Sequence, residues 1–415
     1  MNSVRIRFDE DTVVDREWLE ADFERCQRIL ERYHGTNPMC LCKGQGVSMY
    51  IARRNHCHLA RMPNSAAVHA VYCPSYEPPV EQTGRQVYGK EAIHYNANGT
   101  ATVRLATALS SPTVESWGSD SEIEASEGRG DVVGSTLTNA LRNTVSLSGL
   151  LSLMWETAGF NRWSPRMKGK RTWPVVRKYV SSAAERIIVG RRRLSDRLYL
   201  PERFIGSQAG PIGARRREQF ARVMRKHGRR RNSLVVLGQI RTFIRGDYGD
   251  SIRLRHLGND VTFWLGGKAA RIAERWRLEE TMMWKSRSVI VLMVVDRMPQ
   301  TGALQVKDIG LMRVDGNYLP VCDDNHGELI EALVERERHF VVQMVYEEGG
   351  VDFPRLLLTD AGEDAVPMMA LAARVSEEKK MVEREVLIRW RERYGRVWVW
   401  DQVRQGKTVP GFPGN

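Results

Sequence analysis

The sequence predicts a mixed α+β protein in three structured parts: an N-terminal β-rich module, a basic helical centre and a C-terminal α/β domain. Three observations lead there. Four of the six cysteines fall between Cys40 and Cys73, among short apolar strands. From Arg166 to Arg231 there are 21 Lys/Arg against 4 Asp/Glu, a local balance of +17 in a chain whose total is +13. Beyond residue 232, strand-like apolar runs alternate with helical periodicity, as in a single α/β unit.

At 415 residues the chain has room for two or three cores. The expected divisions are a module at 1–108, a flexible linker at 109–134, the basic region at 135–231 and the last domain at 232–415. No apolar run approaches the roughly 20 residues that span a bilayer, and the longest, Ser288–Val295, is strand-sized. The first residues carry no apolar signal core. The chain is therefore expected in the cytoplasm with no membrane partner, where cysteines stay reduced and bind metal more often than they pair.

Each part has its own signals. Val4–Phe8 alternates as a strand, and Glu17–Tyr33 reads as one helix with Leu19, Phe23, Cys26, Leu30 and Tyr33 on a single face. Ala92–Thr107 reads as a hairpin turning at Asn96–Gly99. Residues 109–134, rich in Ser, Gly and acid, bury too little apolar surface to order themselves. Helices are expected at about 137–160 and 173–189, then a Gly/Pro-rich loop at 206–213 and helical periodicity over 215–226. In the last third, strands are expected at 234–244, 289–296 and 340–347, helices at 327–338 and 376–394, and a final strand at 396–401.

Cys40-Leu-Cys42, on the turn of a hairpin, puts two thiolates at one end. His69 and Cys73, four residues apart on a short helix after Pro63, face the same way. Cys40, Cys42, His69 and Cys73 make a Cys₃His set, the soft tetrahedral shell that Zn²⁺ prefers. His56-Cys57-His58 offers an alternative member. Four protein ligands fill the shell, so the metal is expected to be structural.

The basic residues fall in clusters: Lys168, Lys170 and Arg171; Arg191, Arg192 and Arg193; Arg215, Arg216 and Arg217; Arg222 and Arg225; Arg229, Arg230 and Arg231. Arg predominates, and its planar fork grips phosphate with two bonds. The expected partner is nucleic acid, DNA before RNA, with Trp155, Trp163 and Trp173 stacking on bases. An acidic protein partner is the alternative reading of the same charge. Phosphate-loop, Gly-x-Ser-x-Gly and His-Glu-x-x-His motifs are absent, and His326 reads as a helix-capping residue.

The order helix, three strands, helix, strand over 327–400 resembles the core of the restriction-type nuclease fold. That resemblance implies a Pro-Asp before one strand and Glu-x-Lys on the next, holding Mg²⁺. Here Arg355, Met369 and Leu371 stand at those positions. The expected domain binds without cutting, a Mg²⁺-dependent nuclease on rearranged acids (Asp352, Asp360, Glu347, Glu348) being the alternative. Pro38–Cys42, Arg61-Met-Pro63, His69–Glu77, Leu150–Trp163 and Gly169–Trp173 together resemble a bacterial family catalogued as domain of unknown function 1173. The resemblance implies a plasmid or integrative-element setting and an accessory role, with no activity to transfer.

Overall fold

The computed structural model describes residues 4–414, apart from 54–55, 63–64, 97–98, 113–140, 228–229, 248, 283–286, 348–351, 372–375 and 407. Most of the expected linker, together with Arg229 and Glu348, lies outside the described residues.

The N-terminal sheet is antiparallel throughout, in the order Val13–Asp15, Arg5–Arg7, Met39–Cys40, Val47–Arg53, Cys57–Arg61. Strict alternation along Val47–Arg53 turns Val47, Met49 and Ile51 inward. The helix expected over 17–33 is two, Arg16–Ala21 and Phe23–Arg32. Asp22 breaks it: its backbone is extended, and its carboxylate accepts the Arg25 N–H as an N-cap. Leu19, Leu30 and Tyr33 reach the core, whereas Phe23 is 56% exposed.

At the centre of the molecule five strands close into a barrel. Leu234–Ile244 pairs with Ser251–Leu254, which pairs with Phe263–Leu265, then Leu304–Val314, then Ser288–Arg297, which returns to Leu234–Ile244. All neighbours are antiparallel except Phe263–Leu265 with Leu304–Val314. Helices Gly267–Arg275 and Leu278–Met282 connect Phe263–Leu265 to Ser288–Arg297 along the chain and send Ala269, Ala273 and Leu278 into the barrel core.

Alternate residues of the longer strands serve two cores. Leu234, Val236, Val289 and Val291 point into the barrel. Val235, Leu237, Ile290 and Leu292 point outward against the helix Leu147–Thr157. Burial on both faces explains why these strands read as continuous apolar runs. Gly310 permits that packing, since a Cβ there would meet the Leu147 carbonyl at 2.6 Å.

The region 135–231 is not helical throughout. Helices Leu147–Thr157, Trp173–Glu185 and Ala209–Val223 are joined by short strands that belong to other sheets. Arg162–Trp163 edges the C-terminal sheet, Ile187–Val189 lies parallel to Ala101–Val103, and Arg230–Asn232 pairs with Ser110–Pro112. Two- and three-residue strands are too short to show a period. The loop expected at 206–213 is largely helix, because Pro211 falls in the first turn, where its missing N–H costs nothing.

The C-terminal sheet runs Arg162–Trp163, Phe340–Val342, Leu356–Leu358, Val366–Leu371, Trp398–Asp401. Its last pairing is parallel and the others antiparallel. Helices Asp324–Glu335 and Glu377–Tyr394 complete it; the first starts earlier than expected because Asp323 caps it, accepting the His326 N–H. No described helix is long and apolar enough to cross a membrane.

Candidate metal centre and nucleic-acid interface

Three loops converge on one buried point beside the N-terminal sheet. Cys40 ends the strand Met39–Cys40, and Cys42 follows just before a turn closed by the Gly46 N–H donating to the Lys43 carbonyl at 2.8 Å. Gly46, at φ +74°, suits that turn. His69 and Cys73 come from turns after the short 3₁₀ segment Ala66–Val68, not from one helix as expected. His69 itself has extended backbone, ψ 155°, and Cys73 closes the next turn onto the Ala70 carbonyl.

The donor atoms of Cys40, Cys42, His69 and Cys73 all lie within 4.8 Å of one another, and all four residues are buried. Cys40 and Cys73 Sγ are 3.7 Å apart, and His69 Nδ1 is 3.4 Å from Cys42 Sγ and 3.7 Å from Cys73 Sγ. A tetrahedron of sulfurs about 2.3 Å from a central ion has edges of about 3.8 Å. The set can therefore hold a metal ion. Of the alternative members, Cys57 has its backbone N–H and carbonyl bonded to the side-chain amide of Gln27, and His56 packs edge-on against Phe23.

The electrostatics of the bare donors point the same way. Hydrogen bonds from its neighbours Cys40 and Cys42 hold the Cys73 thiol far below its ordinary value, while the Cys40 thiol is driven up by the neighbouring Cys42 and Cys73 sulfurs. Burial opposes a charged His69 imidazole, yet the Cys42 and Cys73 sulfurs outweigh it and lift the ring to about 9. A divalent cation held there would favour the thiolate form of all three cysteines. Backbone N–H groups of Ala70 and Ser75 donate to Cys42 and Cys73 Sγ, both at 3.4 Å. Arg16, buried, donates to Ser75 Oγ at 2.8 Å and stays charged against its burial through Glu20 and the fields of Cys73 and Cys40. Its charge would balance an anionic thiolate shell around a bound metal.

Four residues past Cys73, Glu77 enters a cluster of arginines. Arg61 lies at 2.6 Å, Arg85 at 3.3 Å and Arg162 at 3.9 Å. Burial opposes the charged carboxylate, but the three guanidiniums hold it well below the usual range. Arg85 also faces Glu156 of the central helix at 3.5 Å. The loop that carries Cys73 is thus tied to the helix Leu147–Thr157 and, through Arg162, to the C-terminal sheet.

The basic clusters divide into two kinds. Arg171 is half-buried and folded inward: its guanidinium donates to the carbonyls of Phe160, Asn317 and Arg162 and lies against the Phe160 and Trp163 rings. Burial pulls it down to about 10. Arg216 is buried against Asp260 at 2.6 Å, and Arg215 grips Glu202 at 2.7 Å. Arg230 donates to Ser110, and Arg231 to the Arg297 carbonyl. Lys168, Lys170, Arg191, Arg192, Arg193, Arg217, Arg222 and Arg225 are exposed, and none makes an ion pair among the described residues.

The three tryptophans expected to stack on bases do not reach the surface. Trp155, Trp163 and Trp173 are 0%, 3% and 4% exposed. Trp155 donates to the Tyr318 carbonyl and Trp173 to that of Pro201, so their polar edges are satisfied inside. The exposed ring beside this cluster is Tyr179, which leans on Phe160. Its place on the polar side of the helix Trp173–Glu185, next to Lys178, was the signal available in the sequence.

Asp360 accepts from Arg338 at 2.7 Å and from the His339 N–H, Asp352 from the Trp390 ring and Arg389, and Glu347 from Tyr88 and Arg142. Each of these acids is already committed.

A family model described as a protein of unknown function (DUF1173) matches residues 14–403. No curated protein and no solved structure matches the chain.

Proposed function

The chain belongs to the DUF1173 family, and we propose that it is a non-catalytic nucleic-acid-binding protein with a structural Zn²⁺, serving as an accessory factor of a mobile element. The exposed arginines and lysines without ion-pair partners carry this reading. Uncompensated positive charge on one segment repels itself and favours a polyanion. Zn²⁺ suits three thiolates and an imidazole, and four protein ligands leave no open position for chemistry. Its role is to hold the loops from Leu41 to Glu77 in place.

The pairing pattern of the C-terminal sheet, a meander with one parallel addition, supports the likeness to a restriction-type nuclease core. With Arg355, Met369 and Leu371 at the positions of the metal-binding and catalytic residues, and Asp352, Asp360 and Glu347 committed elsewhere, the domain binds without cutting.

Titration of the purified protein into labelled duplex DNA, single-stranded DNA and RNA across salt, with and without Mg²⁺, tests the reading. Tight binding that weakens steeply with salt, with the strands left intact, is expected. Mg²⁺-dependent cleavage would overturn the non-catalytic part. Absence of binding at low salt would overturn the whole and turn attention to an acidic protein partner.

A further inference from the structure

The central barrel carries a second, independent feature. In chain order its strands are Leu234–Ile244, Ser251–Leu254, Phe263–Leu265, Ser288–Arg297 and Leu304–Val314. Around the ring they run first, second, third, fifth, fourth and back to the first, with helices between the third and fourth. That is the Greek-key order of the oligonucleotide- and oligosaccharide-binding barrel, whose ligand face is the outer side of strands two and three.

On that face Arg253 and Trp264 are accessible and Ser251 between them is buried, whereas the outer faces of the other strands are closed. The outward residues of the first, fourth and fifth strands, such as Leu237, Leu292 and Met312, are buried in the core around Leu147–Thr157. On strands two and three the inward residues are Ile252 and Phe263, both 0% exposed. Their neighbours Arg253 and Trp264 therefore point out. Trp264 is 39% exposed, a costly position for an indole on a sheet with no partner. Arg253 is oriented by its Nε donating to Thr262 Oγ1 at 3.2 Å, directly across the strand pair. Arg241, exposed on the first strand, donates to Asn259 at 2.7 Å. Just beyond strand two, His256 stacks on Trp173 of the basic region, their ring centroids 5.9 Å apart.

We propose that the outer face of Ser251–Leu254 and Phe263–Leu265 binds single-stranded nucleic acid, with Trp264 stacking on a base and Arg253 and Arg241 meeting the phosphates. A flat aromatic flanked by guanidiniums suits an unpaired base on a charged backbone, and the charge favours nucleic acid over a neutral sugar. The inference rests on the nucleic-acid reading above but uses none of the residues that carry it.

The test measures binding of oligothymidylate, an abasic oligonucleotide of equal length and a duplex to the full chain and to Trp264→Ala, Trp264→Phe and Arg253→Gln. Trp264→Ala is expected to weaken oligothymidylate binding about tenfold and leave the abasic strand and duplex unchanged. Trp264→Phe should recover most of the loss, and Arg253→Gln should lower affinity for both single strands. A wild-type chain that binds nucleic acid, with oligothymidylate affinity unmoved by Trp264→Ala and Arg253→Gln, would overturn this face while leaving the broader reading intact. A wild-type chain that binds no nucleic acid would remove both.

Discussion

The Cys/His cluster and the basic segment both stand out in the sequence by residue type, yet the fold treats them differently. Cys40, Cys42, His69 and Cys73, separated by up to 33 positions, arrive within 4.8 Å of one another. The basic clusters, contiguous in sequence, are split between interior staples such as Arg171 and exposed groups such as Arg217. A coordination shell constrains where each donor must go, so spacing and ligand type carry three-dimensional information. Charge imposes no such geometry. A guanidinium satisfies carbonyls in a loop as readily as phosphates in solution.

The sharpest way to break this contrast is to strip whatever metal the Cys/His cluster holds. Chelation, or Cys73→Ser, is expected to unfold the N-terminal module, because structural Zn²⁺ in small sites contributes on the order of 10 kcal/mol. One zinc per chain by elemental analysis, and loss of structure on chelation seen by circular dichroism, are the expected results. Full folding with no bound metal would make the cluster an ordinary core.

What was legible follows from the same physics. Long strands such as Leu234–Ile244 and Ser288–Arg297 show their apolar runs plainly, and their edges lie within a residue of expectation. Leu304–Val314 does not show as a strand in the sequence because Gln305, Lys307 and Asp308 interrupt it. Asp308 is 3% exposed but paired with Lys268 at 2.6 Å, a tertiary contact that no local pattern announces. The barrel was therefore invisible until its strands were paired, and Trp264 with it. Of the site, the four donors were legible; the partition of the arginines was not, since Arg171 and Arg217 look alike until packing separates them.

Arg171→Met and Arg217→Gln sharpen the comparison directly. Arg171→Met strands the carbonyls of Phe160, Asn317 and Arg162 without donors, at a cost of about 2–4 kcal/mol. Arg217→Gln should leave stability within about 0.5 kcal/mol and weaken nucleic-acid binding. Urea unfolding beside a binding titration separates the two; the same ranking in both assays would mean the division into staples and free charges is wrong.

Glu77 joins the two regions, and its ionisation offers a smaller, pH-dependent test. Its carboxyl is held below the ordinary 4.5 by Arg61, Arg85 and Arg162 against its burial. A depressed folded-state pKa contributes stability that is present above the unfolded value and lost as pH falls through the folded one. Stability should therefore decline below about pH 4.5 in the wild type. Glu77→Gln, less stable at neutral pH, should show a flatter decline. Parallel curves for the two proteins would mean that the carboxylate is not what the three arginines hold.

The smallest effects belong to the exposed lysines, and their smallness is informative. Lys168→Gln with Lys170→Gln touches no ion pair among the described residues, so the unfolding transition should stay where it is. If both lysines neutralise phosphates, the slope of log affinity against log salt should fall by about 0.9 for each on duplex DNA, or about 0.7 on a single strand. Affinity would drop by a similar factor for every base sequence, because phosphate contacts carry no sequence information. A slope left unchanged would place the nucleic acid elsewhere, on the barrel face or on Arg191–Arg193. A sequence-dependent loss would show that this loop reads bases as well as charge.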